Sequence, residues 1–544
     1  MLGRLGPESR AIGPARVIAL TIVPLGLLGL ASVMREARGP YHLGVNSDPD
    51  YAYLTNMLNV VGQQPPDLYE HPGTTVEILG AVAILARWLP DRLISVGTSV
   101  QDAVLANPEV YLAAISTFFA FMVSVAVFAA GIQALRTWRR LAPAVTIQLS
   151  LLLFTQIPAA LPRVAPEPLL IVAAVLLIAA LIPLTNDAGI AGPSRWIVPL
   201  AVGTVMGFGL ATKFTFLPLL GFVLLIPSHI GKAMALGACA LGFIVFTLPV
   251  AVYYDYMRAW LETLATHNGV NGSGNVGPPD PGKLLENVAS LVPVATPLFV
   301  LGAVYLILAV SLLFSKMGLT SNERGRMRNL FAATGLVFIA QIALTAKQPS
   351  GHYLLPAMAA SGLAAAGVIK LLTRAAPVRS LMAVCRAGFV AASVVGLIIG
   401  ASRDYEYLVT ARAYSESTAA FERQTTVGAA KLIAYYGSSQ VEYALAFGND
   451  FARNRYDARL RELYPDALFY SIWERRFYSF AGTVPSEEIR RLLGSGRTVL
   501  MYGFPLRDGY AVYQKGLTLE PVSVGSDKAV YRLLDIDTAQ ANVP

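Results

Sequence analysis

Charge and cysteine are both scarce in this 544-residue chain. Only 14% of its residues are Asp, Glu, Lys or Arg, and its two cysteines are Cys239 and Cys385. Both cysteines sit within or beside apolar runs, which argues against a disulfide framework or a thiolate metal site. A 55% hydrophobic composition with so little charge, at a mean hydropathy of +0.55, excludes an ordinary soluble globular protein. The sequence also lacks a Walker A loop, a G-x-G-x-x-G after a strand, an H-E-x-x-H pair and a G-x-S-x-G elbow, which disfavours nucleotide-driven and serine-hydrolase chemistry. No internal repeat is visible, which weakens an inverted-repeat transporter.

What the chain does contain is long apolar runs. Eleven are long enough, or nearly so, to cross the ~30 Å hydrocarbon core of a bilayer: Val17–Met34, Tyr111–Leu135, Ala142–Ala160, Pro168–Leu184, Trp196–Ala211, Phe214–Ile230, Met234–Tyr253, Leu291–Phe314, Leu330–Ala346, Leu354–Leu372 and Leu381–Ile399. The pattern predicts a polytopic α-helical membrane protein of about eleven transmembrane helices. Arg4, Arg10 and Arg16 precede the first run and no clean small-residue cleavage site follows it, so it is expected to remain as a helix.

The net charge of +8 raises the question of nucleic acid. The basic residues instead fall in short clusters between apolar runs, as topology signals do, and no nucleic-acid partner is expected. With the N-terminus cytoplasmic, Arg136, Arg139, Arg140, Arg195, Lys232, the 316–328 cluster and Lys370, Arg374 and Arg379 all face inward. To keep that agreement, Thr74–Leu89, bounded by Pro72 and Pro90, is read as an amphipathic helix lying at the outer interface.

Two parts are then expected, a membrane domain over 1–401 and a small extracytoplasmic α/β domain over 402–544. Outer loop 36–108 carries the interfacial helix. Outer loop 254–290, with its NGVNGSGNVGPPDPG core, is expected to be irregular and mobile. In the tail, Val441–Phe447, Thr498–Tyr502 and Val530–Leu534 read as strands, and a helix is expected to be capped by Ser486.

Residues suited to chemistry gather on the outer segments. Asp48, Asp50, Asp67, Glu70 and His71 follow the first apolar run in NSDPDYAYLTNMLNVVGQQPPDLYEHPG. Pro49 favours an extended turn between the two early aspartates. A partly desolvated carboxylate there can have its pKa raised towards working pH and act as a general base. Arg163 and Glu167, in LPRVAPEPLL, stand at helix ends framed by prolines, where either a mutual ion pair or a functional role would justify their charge. Lys213, in GLATKFTFLP, either snorkels or holds an anion such as phosphate. Lys347, His352 and Tyr353 mark another outer helix entrance in KQPSGHYLLP. Four of the five histidines, His42, His71, His267 and His352, fall on outer segments beside many acids. A divalent metal is therefore conceivable chemically, although no two histidines show ligand spacing and no metal ligand is assigned. The tail's Arg453, Arg455, Tyr456, Trp473, Arg475, Arg476 and Phe477 suit contact with a glycan or an anionic surface, but read better as a solvated face with core aromatics.

These features together resemble the multi-membrane-spanning C-type glycosyltransferases (GT-C), in particular the branch with protein mannosyltransferases and aminoarabinose lipid A transferases. SDPDYAYL followed by EHPGTT is similar to that family's acidic first loop with its Tyr and His-Pro. GFGLATKFTFLPLL is similar to its glycine-rich helix ending in a Thr-Lys turn, and SGHYLLPAMAA to its late aromatic–Leu–Pro entrance. The resemblance spans roughly Val17 to Ile399. It implies a multi-pass protein of the plasma (inner) membrane with a polyprenyl-phosphate-sugar donor used at the outer face, and a glycan, lipid or protein acceptor. It further implies Asp48 or Asp50 as the base that deprotonates the acceptor hydroxyl, Tyr53 and His71 beside it, and Glu167 as the second-loop carboxylate. Arg163 and Lys213 would face the donor phosphate, with Lys347, His352 and Tyr353 lining the same cavity. A transporter or flippase of lipid-linked glycans is the alternative, and it would use mid-bilayer polar groups such as Gln148, Gln156 and Gln341. A ligase that moves whole oligosaccharides is a third reading.

Overall fold

The computed structural model describes residues 13–43, 49–70, 72–94, 99–185, 192–314, 319–374, 379–425, 431–434, 440–472, 474–503, 505–506, 516–524 and 529–536. Eight helices among these are long and apolar enough to cross a membrane: Pro14–Arg38, Pro108–Trp138, Pro166–Thr185, Ser194–Thr212, His229–Thr266, Pro281–Phe314, Ser321–Ala346 and Gly351–Leu371. Two further apolar helices, Leu141–Leu153 and Phe214–Leu225, are shorter. The reading of eleven is thus eight by this length measure. Ala142–Ala160 breaks at Phe154, whose extended backbone separates two short helices, and Phe214–Leu225 is wound as a 3-10 helix. The last apolar run lies inside one long helix, Arg379–Thr425.

Contacts divide the chain into two compact units. The first comprises residues 1–32, 69–75 and 117–405. At its heart are helix Pro166–Leu181, in which nearly every residue is buried, and helix Leu355–Arg374. The second is built from small residues, LPAMAASGLAAAG, and small side chains let helix backbones approach where lipid offers no hydrophobic drive. Helix Ser194–Thr212 packs on His229–Thr247 by the same means. A Cβ on Gly207 would lie 2.5 Å from the Cys239 carbonyl oxygen, so only glycine fits the Gly203-x-x-x-Gly207 face. Tyr305 closes the far side, its ring 6.0 Å from Phe331 and 5.8 Å from Phe338, with its hydroxyl donating to the Ser361 carbonyl.

Segment 254–290 corrects the expectation of an irregular loop. Helix Tyr254–Thr266 runs straight on from the preceding span, and His267 and Val276 pair across a tight hairpin. The Asn268 side chain accepts from the Asn275 N–H, while Gly272, Gly274 and Gly277 take the positive φ that the tip demands. Regular structure resumes at Pro281.

The second unit comprises residues 33–68, 76–116 and 406–544. Its seven-stranded mixed sheet uses β1 Lys431–Ala434, β2 Phe469–Ser471, β3 Arg476–Ser479, β4 Gly482–Val484, β5 Val499–Gly503, β6 Leu517–Val524 and β7 Ala529–Ile536. The order is β4-β3-β2-β1-β5-β7-β6, with β1 parallel to β2 and β5 and the other pairs antiparallel. Ile433, Tyr470, Phe477, Val499, Met501 and Tyr531 are among the side chains of its core. The small α/β part read from the tail is therefore present, with two corrections. Val441–Asp450 is a helix, because its buried residues Ala444, Leu445, Gly448 and Asn449 recur at helical spacing. Helix Ser486–Gly494 starts at Ser486 itself, with Pro485 in the capping position.

The segment after the first span, read from sequence as an outer loop, is far more helical than a loop. Pro49 caps helix Asp50–Val61, so Asp50 opens a helix where an extended turn was expected; Pro49 restricts the residue before it and leaves the chain after it free to turn helical. Ten of the twelve residues in that helix are buried, because helix Val441–Asp450 lies directly on it. A Cβ on Gly448 would come within 2.5 Å of the Tyr51 carbonyl oxygen, and Thr55 Oγ1 donates to the Gly448 carbonyl at 2.6 Å. The next helix runs Thr74–Ile94 and carries Pro90 inside it, beyond the boundary expected there. Its Glu77 is completely buried, whereas a helix lying at an interface keeps its charged residues on the solvated face.

Candidate functional site

In the first unit the charged residues of three helix ends come together. Pro166 is the first residue of its helix, with φ suited to that position, and Glu167 follows in the first turn, where the helix dipole favours a carboxylate. Helix Ser194–Thr212 stops at Lys213, whose extended backbone (φ −166°, ψ 138°) breaks the helix before the 3-10 turn from Phe214. That break brings Lys213 Nζ to 2.9 Å from Glu167 Oε1, with the side chains only 9% and 13% exposed. Glu167 thus has a partner from a different helix, Lys213, besides the neighbouring Arg163 considered from sequence. The ammonium also stands 5.0 Å from the centre of the Tyr353 ring, within cation–π range.

His352 lies against Tyr353, ring centres 4.2 Å apart, and its Nδ1 is 2.7 Å from Ser350 Oγ. It feels the charges of Glu167, Lys213 and Arg163. Gln341 secures this turn by donating to the carbonyls of Tyr353 at 2.7 Å and Thr215 at 3.0 Å. Thr212, just before Lys213, shares a 2.7 Å hydrogen bond with Thr75. Of the sequence candidates, Arg163, Glu167, Lys213, His352 and Tyr353 thus form one group. The Lys347 ammonium donates elsewhere, to the Leu264 carbonyl near the end of helix Tyr254–Thr266.

Ahead of the Pro72–Gly73 turn, Tyr69 packs against Tyr253 and Tyr256, at 5.1 and 5.8 Å between ring centres. Partial burial pushes the Glu70 carboxyl up from its ordinary value. Asp48 and His71 lie outside the described residues.

In the second unit Asp50 is 1% exposed and Tyr53 3% exposed. The Asp50 charge bears on Tyr41 and Tyr51, both of whose hydroxyls are pushed up in pKa chiefly by burial, Tyr41 to about 12. Tyr41 also lies under the Arg35 guanidinium, 3.8 Å from its ring centre. A residue missed from sequence organises this corner. Glu109 accepts from the Tyr41 and His42 backbone N–H groups at 2.7 and 2.9 Å, and from the Tyr51 hydroxyl at 2.8 Å. It is also 2.9 Å from His42 Nδ1. The signal was there in Pro108-Glu109, a proline–acid start directly before an apolar run.

The tail residues read as a solvated face prove partly structural. Asp67 lies 2.8 Å from Arg453 Nε and 3.2 Å from Arg455 Nη2, and the Tyr456 hydroxyl donates to Asn59 at 2.8 Å. Trp473 lies outside the described residues. Among the described residues no group of three or more His, Cys, Asp or Glu side chains is placed to hold a metal ion. The three glutamines considered for a transport path donate instead to backbone carbonyls: Gln148 to Leu20 and Val127, Gln156 to Val294, and Gln341 as above.

Together the apolar helices and this arrangement define a multi-pass membrane protein with a GT-C-like fold. ArnT from Cupriavidus metallidurans has that fold: its structure bound to undecaprenyl phosphate aligns with a TM-score of 0.50 at 13% identity, covering 98% of this chain and 100% of that one. Its apo structure gives 0.50 at 14% identity over 97% and 99%. No family model and no curated protein matches the chain.

Proposed function

We propose that the protein is an integral-membrane glycosyltransferase of the plasma (inner) membrane that takes a sugar from a polyprenyl-phosphate donor at the outer face. The observation that carries this is the cluster of Lys213, Glu167, Arg163, His352 and Tyr353 at one end of the bundle, in a fold shared with a structure that holds undecaprenyl phosphate. In this reading Asp48 or Asp50 takes the proton of an acceptor hydroxyl, whose oxygen bonds to the anomeric carbon. The bond from that carbon to phosphate breaks, and the polyprenyl phosphate leaves with the electron pair. Arg163 and Lys213 stabilise the charge that develops on it, an effect that is large where water is excluded. Glu167 holds Lys213 extended until the phosphate arrives. His352, Tyr353, Lys347, His71 and Tyr53 are assigned to substrate binding, and the acceptor is a glycan, lipid or protein. The glutamine side chains tied to carbonyls support the enzyme over a flippase, because they fasten helices together.

The test is transfer from a polyprenyl-phosphate sugar by purified protein carrying Asp48→Asn or Asp50→Asn. At least one variant should lose transfer while inserting normally in the membrane. Full activity in both would remove the proposed base, and Lys213→Met should independently weaken use of the lipid-linked donor.

A further inference from the structure

The opposite end of the same helices carries a second site. A cavity of about 460 Å³ opens between helices Pro108–Trp138, Pro166–Leu181 and Ser194–Thr212, lined by Phe128, Ile132, Gln133, Arg136, Pro183 and Ile197 among others. Ala179 and Ala180, also in its wall, lie roughly 20 Å along their helix from Glu167, so the cavity is separate from the Lys213 cluster. Its volume is that of a small-molecule site, and its wall is apolar except for Gln133 and Arg136.

The described surroundings are basic. The described segments that end here, 134–143, 179–185, 192–201 and 366–371, contain Arg136, Arg139, Arg140, Arg195 and Lys370 and no carboxylate. Thr185 braces the rim: its hydroxyl accepts from the Trp138 indole at 3.1 Å and its carbonyl from Lys370 at 2.9 Å. Tryptophan and basic residues at a helix end mark the bilayer interface. An apolar slot with one arginine at its mouth and four more bases around it matches a molecule with a hydrocarbon chain and an anionic head.

We propose that this cavity binds an anionic glycerophospholipid of the surrounding leaflet, with an acyl chain along Phe128, Ile132 and Ile197 and the phosphodiester at Arg136. A soluble phosphate gains nothing from the apolar wall, and a zwitterionic lipid gains little from the basic rim. The site stands whether or not the glycosyltransferase reading does.

Native mass spectrometry of the delipidated full chain, titrated with dioleoylphosphatidylglycerol or dioleoylphosphatidylcholine, tests this. The wild-type chain should retain the glycerol lipid about fivefold better, the worth of one arginine near a lipid headgroup. Arg136→Gln, at an exposed position, should abolish that preference and leave the choline lipid unchanged. Ala201→Phe, which fills the slot, should reduce retention of both. Equal retention of the two lipids by the wild-type chain would overturn the proposal. So would unchanged phosphatidylglycerol retention in both variants, or displacement of phosphatidylglycerol by inorganic phosphate at matched concentration.

Discussion

Lys213 and Glu167 meet at 2.9 Å across a buried gap although 46 residues separate them in sequence. Each therefore depends on the other to be charged where it is. Removing one partner of a buried pair leaves an uncompensated charge, whereas removing both does not. Lys213→Met and Glu167→Gln should each destabilise the protein, Lys213→Met by about 3 kcal/mol, and the two combined by clearly less than the sum. Thermal unfolding of the four proteins in one detergent measures this. Strict additivity would mean that the two side chains do not interact.

Glu77 gives a pH dependence with a definite sign. It is wholly buried, neither carboxyl oxygen has a hydrogen-bond partner, and burial, with a smaller contribution from Asp67, raises its pKa well above the ordinary 4.5. The folded state thus favours the neutral acid. Its contribution is fully present below pH 4.5 and declines as pH rises above that value towards the folded pKa. Glu77→Gln, which mimics the neutral acid, should match the wild type at low pH and melt higher than it at neutral and alkaline pH. Melting curves across that range check it; parallel curves at every pH would show that folding leaves the Glu77 pKa unchanged.

How far the sequence discloses all this depends on the range of the interaction. Run length and composition place the eight long spans, because crossing a bilayer is a one-dimensional requirement, but they do not disclose the break at Phe154 or the 3-10 winding of Phe214–Leu225. Strands at Val499–Gly503 and Ala529–Ile536 are legible for a similar local reason. Val441–Phe447 misleads: Val441, Tyr443, Leu445 and Phe447 alternate as in a strand, yet burial against Tyr51 and Thr55 selects the helix. For the candidate site, residue types and helix ends are readable in LPRVAPEPLL and ATKFTF, but partner choice is not. Arg163 is the local candidate for Glu167, and the fold supplies Lys213 from a different helix. Glu109 and Gln341 are not legible as parts of these clusters for the same reason, since Glu109 holds the Tyr41 and His42 N–H groups and Gln341 the Thr215 carbonyl, all far away in sequence.

Close packing of helix Ser194–Thr212 on His229–Thr247 can be tested at two glycines with opposite expectations. At Gly207 an added Cβ meets the backbone of Cys239 and Gly242, so neither side chain rotation nor a small shift relieves it. Gly207→Val should cost about 3 kcal/mol through overpacking. Gly237, on the facing helix, has open space beyond its Cα, so Gly237→Ala should stabilise by about 0.5–1 kcal/mol through helix propensity. The pair of melting temperatures distinguishes packing from propensity; loss of stability in both would show that the Gly237 face is also packed.

Asp67 fixes its segment to the tail within the second unit, and its three contacts differ in worth. Arg453 is 55% exposed, so its 2.8 Å pair with Asp67 is screened by water, and Arg453→Ala should cost less than about 1 kcal/mol. Arg455 is better shielded and also donates to the Pro65 carbonyl at 2.8 Å, so its loss removes two ties at once. Asp67 itself is 5% exposed, and its backbone N–H is held by Asn56 at 2.6 Å. Asp67→Ala should therefore exceed either arginine variant, at about 2 kcal/mol, since it leaves both guanidinium groups without their acid. Limited proteolysis between residues 440 and 470 reports the loosening directly. The expected order of cleavage rates is Asp67→Ala, then Arg455→Ala, then Arg453→Ala, and raising the salt concentration should narrow only the last difference from wild type, because only exposed pairs are screened.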